Sequence, residues 1–295
     1  MLFRSEFAGE RLLRFAFADA EDGRSQIGFV ITQVERELER HAREGDPNDP
    51  GLYVGAQRVS NFADLVEAIC DNLEGMTRNA APATLDAFRR RLHAASQHMG
   101  HLVRGHDEAT RHRIDWDANQ VTVIDIHKLH GTAQMFVVGV VLKRMMERKE
   151  AQGTARPLVF VVLDELNKYA PRSGWSPIQD VLLDIAERGR SLGVSLFGAQ
   201  QTASEVERRV VANAALKVVG RLDAAESERG EYGFLTPVAR RRATILSPGS
   251  MIIAQPEIPT PILVHFPFPS WATRQSEATP SNIGESDPFA RVEED

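Results

Sequence analysis

Apolar side chains recur at helical spacing through the first third of the chain. Ile27 to Arg43 carries one such face and runs into Glu44-Gly-Asp-Pro-Asn-Asp-Pro-Gly51, a dense cluster of helix breakers. Asn61 to Met76 opens on a capping residue and sets Leu65, Ile69 and Leu73 four apart. Thr84 to His98 repeats the pattern with Leu85, Phe88 and Leu92. These segments predict a helical subdomain over 1–117. From 118 the period changes. Val121-Thr-Val-Ile124, Leu158-Val-Phe-Val-Val-Leu163, Val194-Ser-Leu-Phe197 and Leu216 to Leu222 read as strands. Helix-period segments lie between them at Thr132–Lys149, Pro177–Leu192 and Ser204–Ala215. Ser250–Ala254 and Pro261–Phe266 add two strands after a turn at Pro248-Gly249. Short apolar strands alternating with helices predict an α/β unit over 118–270, with a mainly parallel sheet between flanking helices. The remainder, 271–295, is rich in Ser, Thr, Pro, Glu and Asp and is read as a disordered acidic tail.

Composition narrows the class without naming it. The 295 residues are 42% hydrophobic and 26% charged, which excludes fibrous and wholly disordered chains. The net charge of -6 argues against a surface that is basic throughout, but leaves room for a local basic lining. The single cysteine, Cys70, excludes an intrachain disulfide and is expected as a small buried side chain. The longest apolar stretch, Met135 to Leu142, falls far short of the roughly 20 residues that span a bilayer. The N-terminus is charged too early for a signal segment. A cytoplasmic protein without a membrane partner is expected.

The candidate chemistry lies at strand ends, because parallel sheets bind ligands beyond the carboxyl ends of their strands. The run 158–163 ends in Asp164-Glu165, two acids side by side. In a nucleotide hydrolase the first would hold Mg²⁺ and the second would act as general base toward the attacking water. The plain structural alternative is a capping acid followed by a surface glutamate. The next strand ends at Gln200, whose neutral amide could meet a γ-phosphate or the water without adding negative charge. Arg188 and Arg190 lie on the connection into that strand, where either could serve a phosphate or simply favour a helix dipole.

Together these residues form a pattern. Asp164-Glu165 looks like a Walker B box. The following Asn-Lys-Tyr-Ala-Pro, then Glu187-Arg-Gly-Arg-Ser-Leu-Gly-Val194, then Gly198-Ala-Gln-Gln201, resemble the RecA-like ATPases of the HerA/FtsK group, with HerA the nearer match. Val123-Ile124-Asp125 resembles that group's strand and acid before Walker B, and Asn213–Leu222 the strand after the sensor glutamine. Leu246–Ile253 and Pro261–Val264 resemble its C-terminal strands. The resemblance covers about 120–270. It implies an ATP- and Mg²⁺-dependent, hexameric DNA translocase or helicase, often with a nuclease partner. In it Asp164 binds the metal, Glu165 is the base, Gln200 the sensor, and Arg188 or Arg190 a finger reaching a neighbouring subunit.

One element of that pattern is missing. A phosphate-cradling loop needs Gly-x-x-x-x-Gly-Lys-[Ser/Thr], and no lysine here follows a glycine. Gly23 and Gly28 have the glycine spacing, but Phe29 stands where the lysine would. The chain is therefore expected to be the C-terminal portion of a longer ATPase, or one half of a split one, and to bind and hydrolyse ATP weakly by itself. The rival reading is a non-catalytic subunit that keeps the ATPase fold for assembly or DNA binding. The histidines 93, 98, 101, 106 and 112 have no metal-ligand spacing. The basic clusters at 89–91, 143–144, 208–209 and 240–242 are read first as solvated or subunit-facing surface.

Overall fold

The computed structural model describes residues 26–44, 52–77, 80–100, 118–174 and 176–267, together with 102, 114 and 116. The breaker residues 45–51, the boundary expected near 117 and the acidic tail lie outside these, as do His101, His106 and His112. The chain forms two compact units, one ending at Gln201 but including 205–207, the other formed by 202–204 and the residues from 208 on.

In the first unit α1 (Gln26–Glu44) buries Val30, Ile31, Val34, Leu38 and Ala42, the face its spacing predicts. A short hairpin not foreseen in the sequence follows, β1 (Leu52–Val54) and β2 (Gln57–Val59), antiparallel with Leu52 opposite Val59. Each strand has only three residues, too few for alternation to register. α2 (Phe62–Met76) starts where the cap Asn61 Oδ1 accepts the Asp64 amide at 3.0 Å, while the Asp64 carboxylate accepts the amide of the preceding Ser60 at 2.9 Å. α3 (Pro82–Met99) begins on proline, whose missing N–H is no loss in a first turn. These helices and the hairpin close over Leu38, Leu52, Phe62, Leu65, Ile69, Leu73, Phe88, Leu92 and Met99. Cys70 is half-buried at the side of this core, 3.7 Å from His93 Nε2, and burial raises its thiol pKa.

The segment from 118 to 130 has no regular structure, so the expected strand at 121–124 does not form. Val121 and Val123 are 79% and 84% exposed. β-branched alternation marks a capacity for strand, which is realised only against a neighbouring edge. α4 (Gly131–Gln152) packs on α3 and buries Lys149, whose ammonium donates to the Pro157 carbonyl at 2.8 Å. β3 (Val159–Leu163) leads into α5 (Leu166–Tyr169), and α6 (Gln179–Leu192) returns the chain to β4 (Val194–Gly198). β3 and β4 pair in parallel from Val159↔Val194 to Leu163↔Gly198. Among the described residues, parallel pairing is confined to these two strands. The continuous apolar run of β3 predicts burial on both faces, yet Phe160 and Val162 are 62% and 74% exposed and Phe160 meets Phe197 edge-on at 5.7 Å. Among the described residues α6 lies along β4 and α4 against α6.

The second unit contains α7 (Arg208–Asn213), β5 (Lys217–Val219), α8 (Ala224–Ser227), α9 (Pro237–Ala243), β6 (Ser250–Gln255) and β7 (Ile258–His265). Its sheet is antiparallel in the order β5-β6-β7. Val219, Leu222, Tyr232, Leu235, Ala243, Leu246 and Ile252 form its core. Beside them the Glu226 carboxylate, 8% exposed as a residue, accepts from the Ser204 amide at 3.0 Å, the Ser204 hydroxyl at 2.6 Å and the Tyr232 hydroxyl at 3.1 Å. Burial alone would raise the Glu226 pKa, but these donors outweigh it and hold the pKa below the ordinary value. The Tyr232 hydroxyl is pushed up to about 12, foremost by burial, with the Glu226 charge adding and the Ala203 amide pulling the other way. A folded pKa above the ordinary value of 10 means the folded state holds this proton more tightly. Its contribution is whole below pH 10 and is lost as pH rises toward 12. Denaturant unfolding followed across that window should therefore show falling stability. Tyr232→Phe should flatten the dependence, at a cost of about 1 kcal/mol at neutral pH for the lost hydrogen bond.

Candidate functional site

The parallel register places the ends of β3 and β4 side by side. Beyond the last pair, the Ala199 amide donates to the Leu163 carbonyl at 2.9 Å and the Leu166 amide to the Ala199 carbonyl at 3.1 Å. Asp164 and Glu165 thus leave β3 at the rim where Ala199 and Gln200 leave β4. Both acids are exposed to solvent. Leu166 is buried under them, close enough that a Cβ on Gly198 would lie 2.4 Å from its Cδ2. The segment 205–207 braces the chain after the acids. The Arg172 amide donates to the Glu205 carbonyl and the Glu207 amide to the Ala170 carbonyl, both at 2.8 Å, and Asn167 Nδ2 donates to the Glu205 carboxylate at 3.2 Å.

Glu165 has φ 52 and ψ 51, the one left-handed non-glycine among the described residues. A side chain in that region costs on the order of 1 kcal/mol or more, a strain that surrounding structure sustains most often at functional positions. The turn lets the chain leave the strand and start α5 after two residues, Asp164 and Glu165. Its amide donates to Asp164 Oδ1 at 2.9 Å, and its carboxylate forms an ion pair with Lys168 one helical turn on. That hydrogen bond, foremost, raises the Lys168 pKa.

Gln200 is half-buried, and its Oε1 is fully buried without a hydrogen-bond partner among the described residues. Which end of the amide is oxygen is an assignment, so the orphan is either an acceptor or a donor. In both cases a buried polar atom lacks the partner it needs, at a cost of about 1–3 kcal/mol. These features fit a magnesium nucleotide. Mg²⁺ is commonly held by one or two carboxylates together with substrate phosphates, so a single exposed aspartate at a strand tip suffices. An unsatisfied amide beside it suits a phosphate oxygen or a water. Among the described residues no three potential ligands cluster into a protein-only metal site.

Arg188 and Arg190 do not join this rim. They lie in the last turns of α6, at the start of β4, and five strand residues separate that edge from the carboxylates, about 16 Å at 3.3 Å per residue. Arg188 Nε lies 2.6 Å from Asp184 Oδ1, and its guanidinium also pairs with Glu150. Its pKa is raised, foremost by the Asp184 hydrogen bond. Arg190 is exposed and forms no ion pair with another described residue. The Asp125 carboxylate is engaged by His127 Nδ1 at 2.6 Å, which lowers its pKa. Lys168 and the bracing Glu205 escaped the sequence reading. The i, i+3 spacing to Glu165 could have revealed the first; the second is 40 residues away along the chain and carried no signal.

No protein-family model matches the chain, and no curated protein does. Solved structures do. The plasmid coupling protein TrwB in complex with the non-hydrolysable ATP analogue ADPNP superposes with a TM-score of 0.57 at 12% identity, over 90% of this chain and 70% of that one. The bacterial conjugative coupling protein TrwBdeltaN70, in its unbound monoclinic form, gives 0.56 at 14%, over 90% and 69%. The chain has the α/β fold of these two coupling proteins. The genome packaging NTPase B204 from Sulfolobus turreted icosahedral virus 2, in complex with ATP-gammaS, aligns at a TM-score of 0.35 and 16% identity over 44% of this chain. The chain spans 60% of that NTPase. Within this fold the β3–β4 rim lies in the first compact unit. No helix among the described residues is long and apolar enough to cross a membrane.

Proposed function

We propose that this chain is the Walker B and sensor portion of an ATP-driven DNA translocase or helicase of the HerA type, working as a ring. The observation that carries this reading is the shared rim: two exposed acids, one in a strained backbone, beside a buried amide that lacks a partner. Asp164 holds Mg²⁺, which when bound neutralises phosphate charge. Glu165 accepts a proton from the water whose oxygen bonds to the γ-phosphorus as the bond to the bridging oxygen of ADP breaks. Gln200 orients the water or the γ-phosphate. The phosphate-wrapping loop comes from a segment or partner chain other than these residues.

The distance of about 16 Å between α6's last turn and the rim supports a finger acting in trans, on a neighbouring subunit's nucleotide. Arg188 is occupied by Glu150 and Asp184, which leaves Arg190 as the better candidate. Exposed arginines on α3 and α9 offer contacts to a DNA backbone. A nuclease partner is part of the same proposal. The second reading, a non-catalytic ATPase-fold subunit, is favoured by the missing glycine–lysine loop.

The direct test is nucleotide binding with and without Mg²⁺, by equilibrium dialysis at millimolar nucleotide. Asp164→Asn should weaken Mg²⁺-dependent binding about tenfold, or roughly 1.4 kcal/mol. Unchanged binding would remove Asp164 from the site.

A further inference from the structure

We propose that Lys168 is a latch on Glu165, holding the carboxylate in the nucleotide-free chain and leaving it for a phosphate oxygen when a triphosphate binds. The inference deepens the nucleotide reading above and rests on it. The chain has five lysines. Lys143 and Lys149 lie on α4, Lys217 on β5 and Lys128 in the irregular segment before α4, whereas Lys168 lies three residues from Glu165 on the helix that starts at the rim. The left-handed turn at Glu165 begins α5 immediately, so residue 168 comes round beside residue 165, and the two side chains pair. Both are about half exposed, at 49% and 52%. The pair is therefore loose: surface ion pairs contribute about 0.2–1 kcal/mol. A triphosphate carries several charges against the carboxylate's one, and an ammonium on a flexible four-carbon stem can follow either. Transfer of Lys168 to the nucleotide would thus free the Glu165 carboxylate only when substrate is present. It would also give this chain a cation of its own toward the phosphates.

The test is a double-mutant cycle on the full chain, read as affinity for a fluorescent ATP analogue in Mg²⁺, with wild type, Glu165→Gln, Lys168→Met, the double variant and Lys168→Arg. All the substitutions are at exposed positions, and circular dichroism checks the fold. Removing the Glu165 charge relieves repulsion of the phosphates in any case. If Lys168 moves to the nucleotide, Glu165→Gln also spares the breaking of the pair, so it should tighten binding by about threefold more with Lys168 present than with methionine there. Lys168→Arg should keep most of that difference. If Lys168 stays on Glu165, no pair is broken on binding and the extra gain with Lys168 present disappears or reverses. Reversed or equal gains overturn the latch while leaving the nucleotide site standing. Absence of binding in every variant, wild type included, overturns the nucleotide reading and the latch with it.

Discussion

Glu165→Gln should lower phosphate release by about 10²–10⁴-fold, the range a positioned general base contributes, while nucleotide binding is kept or tightened. The substitution preserves shape and backbone preference closely enough to leave the left-handed turn and α5 in place, and it removes the proton acceptor together with its charge. The assay is steady-state phosphate release by the proposed ATPase, with this chain combined with a segment that supplies the phosphate loop. Binding is measured in parallel so that loss of chemistry is separated from loss of substrate. Full turnover with glutamine at 165 would take the base assignment away from this residue and leave the rim as a binding surface. Loss of binding along with turnover would point instead to a structural role for the strained turn. The two outcomes differ because glutamine cannot accept the water's proton yet can still hydrogen-bond Lys168, Asp164 or a phosphate.

Much of the rim was legible in residues 158–201, because one physical rule ties strand to site. A short apolar run bounded by polar residues reads as a strand, a parallel strand carries its ligands at the carboxyl end, and the polar residues that stop it are the candidates. The pairing of Leu163 with Gly198 brings 164, 165 and 200 to one edge, as the alternation of strand and helix implies. The helices were legible for the same reason, since Leu65, Ile69 and Leu73 define a face whatever packs on it. What failed depends on neighbours. Val121 to Ile124 has the composition of a strand and stays irregular, because composition does not state whether an edge is available. Phe160 and Val162 of β3, expected inside, lie exposed for the same reason. The position of Arg188 and Arg190 was readable only as an order along the chain. Their distance from the rim follows once α6 is seen to run antiparallel to β4, which puts the end of the helix at the far edge.

Gly193→Ala should destabilise the first unit by at least about 4 kcal/mol, in the exceptional tail of single substitutions. Gly193 caps α6 with φ 71 and its own carbonyl accepts the Val159 amide at 2.9 Å, so the residue that ends the helix also starts the register of β3 on β4. A Cβ there would lie 1.8 Å from the Ala155 carbonyl oxygen and 2.6 Å from its carbon. Both are backbone atoms, so no side chain can swing aside. Relief requires moving the 155 loop or the helix end, and either breaks the first ladder bond of the strand that carries Asp164 and Glu165. Gly153→Ala separates this overlap from backbone sign. Gly153 has φ 63, also caps a helix, and has nothing within 4 Å of the place a Cβ would take, so its substitution should cost only the roughly 1 kcal/mol of a left-handed alanine. Urea unfolding of the two variants beside wild type measures the difference. Similar costs at both positions would mean that the 155 loop yields freely and that the start of β3 is not fixed by Gly193.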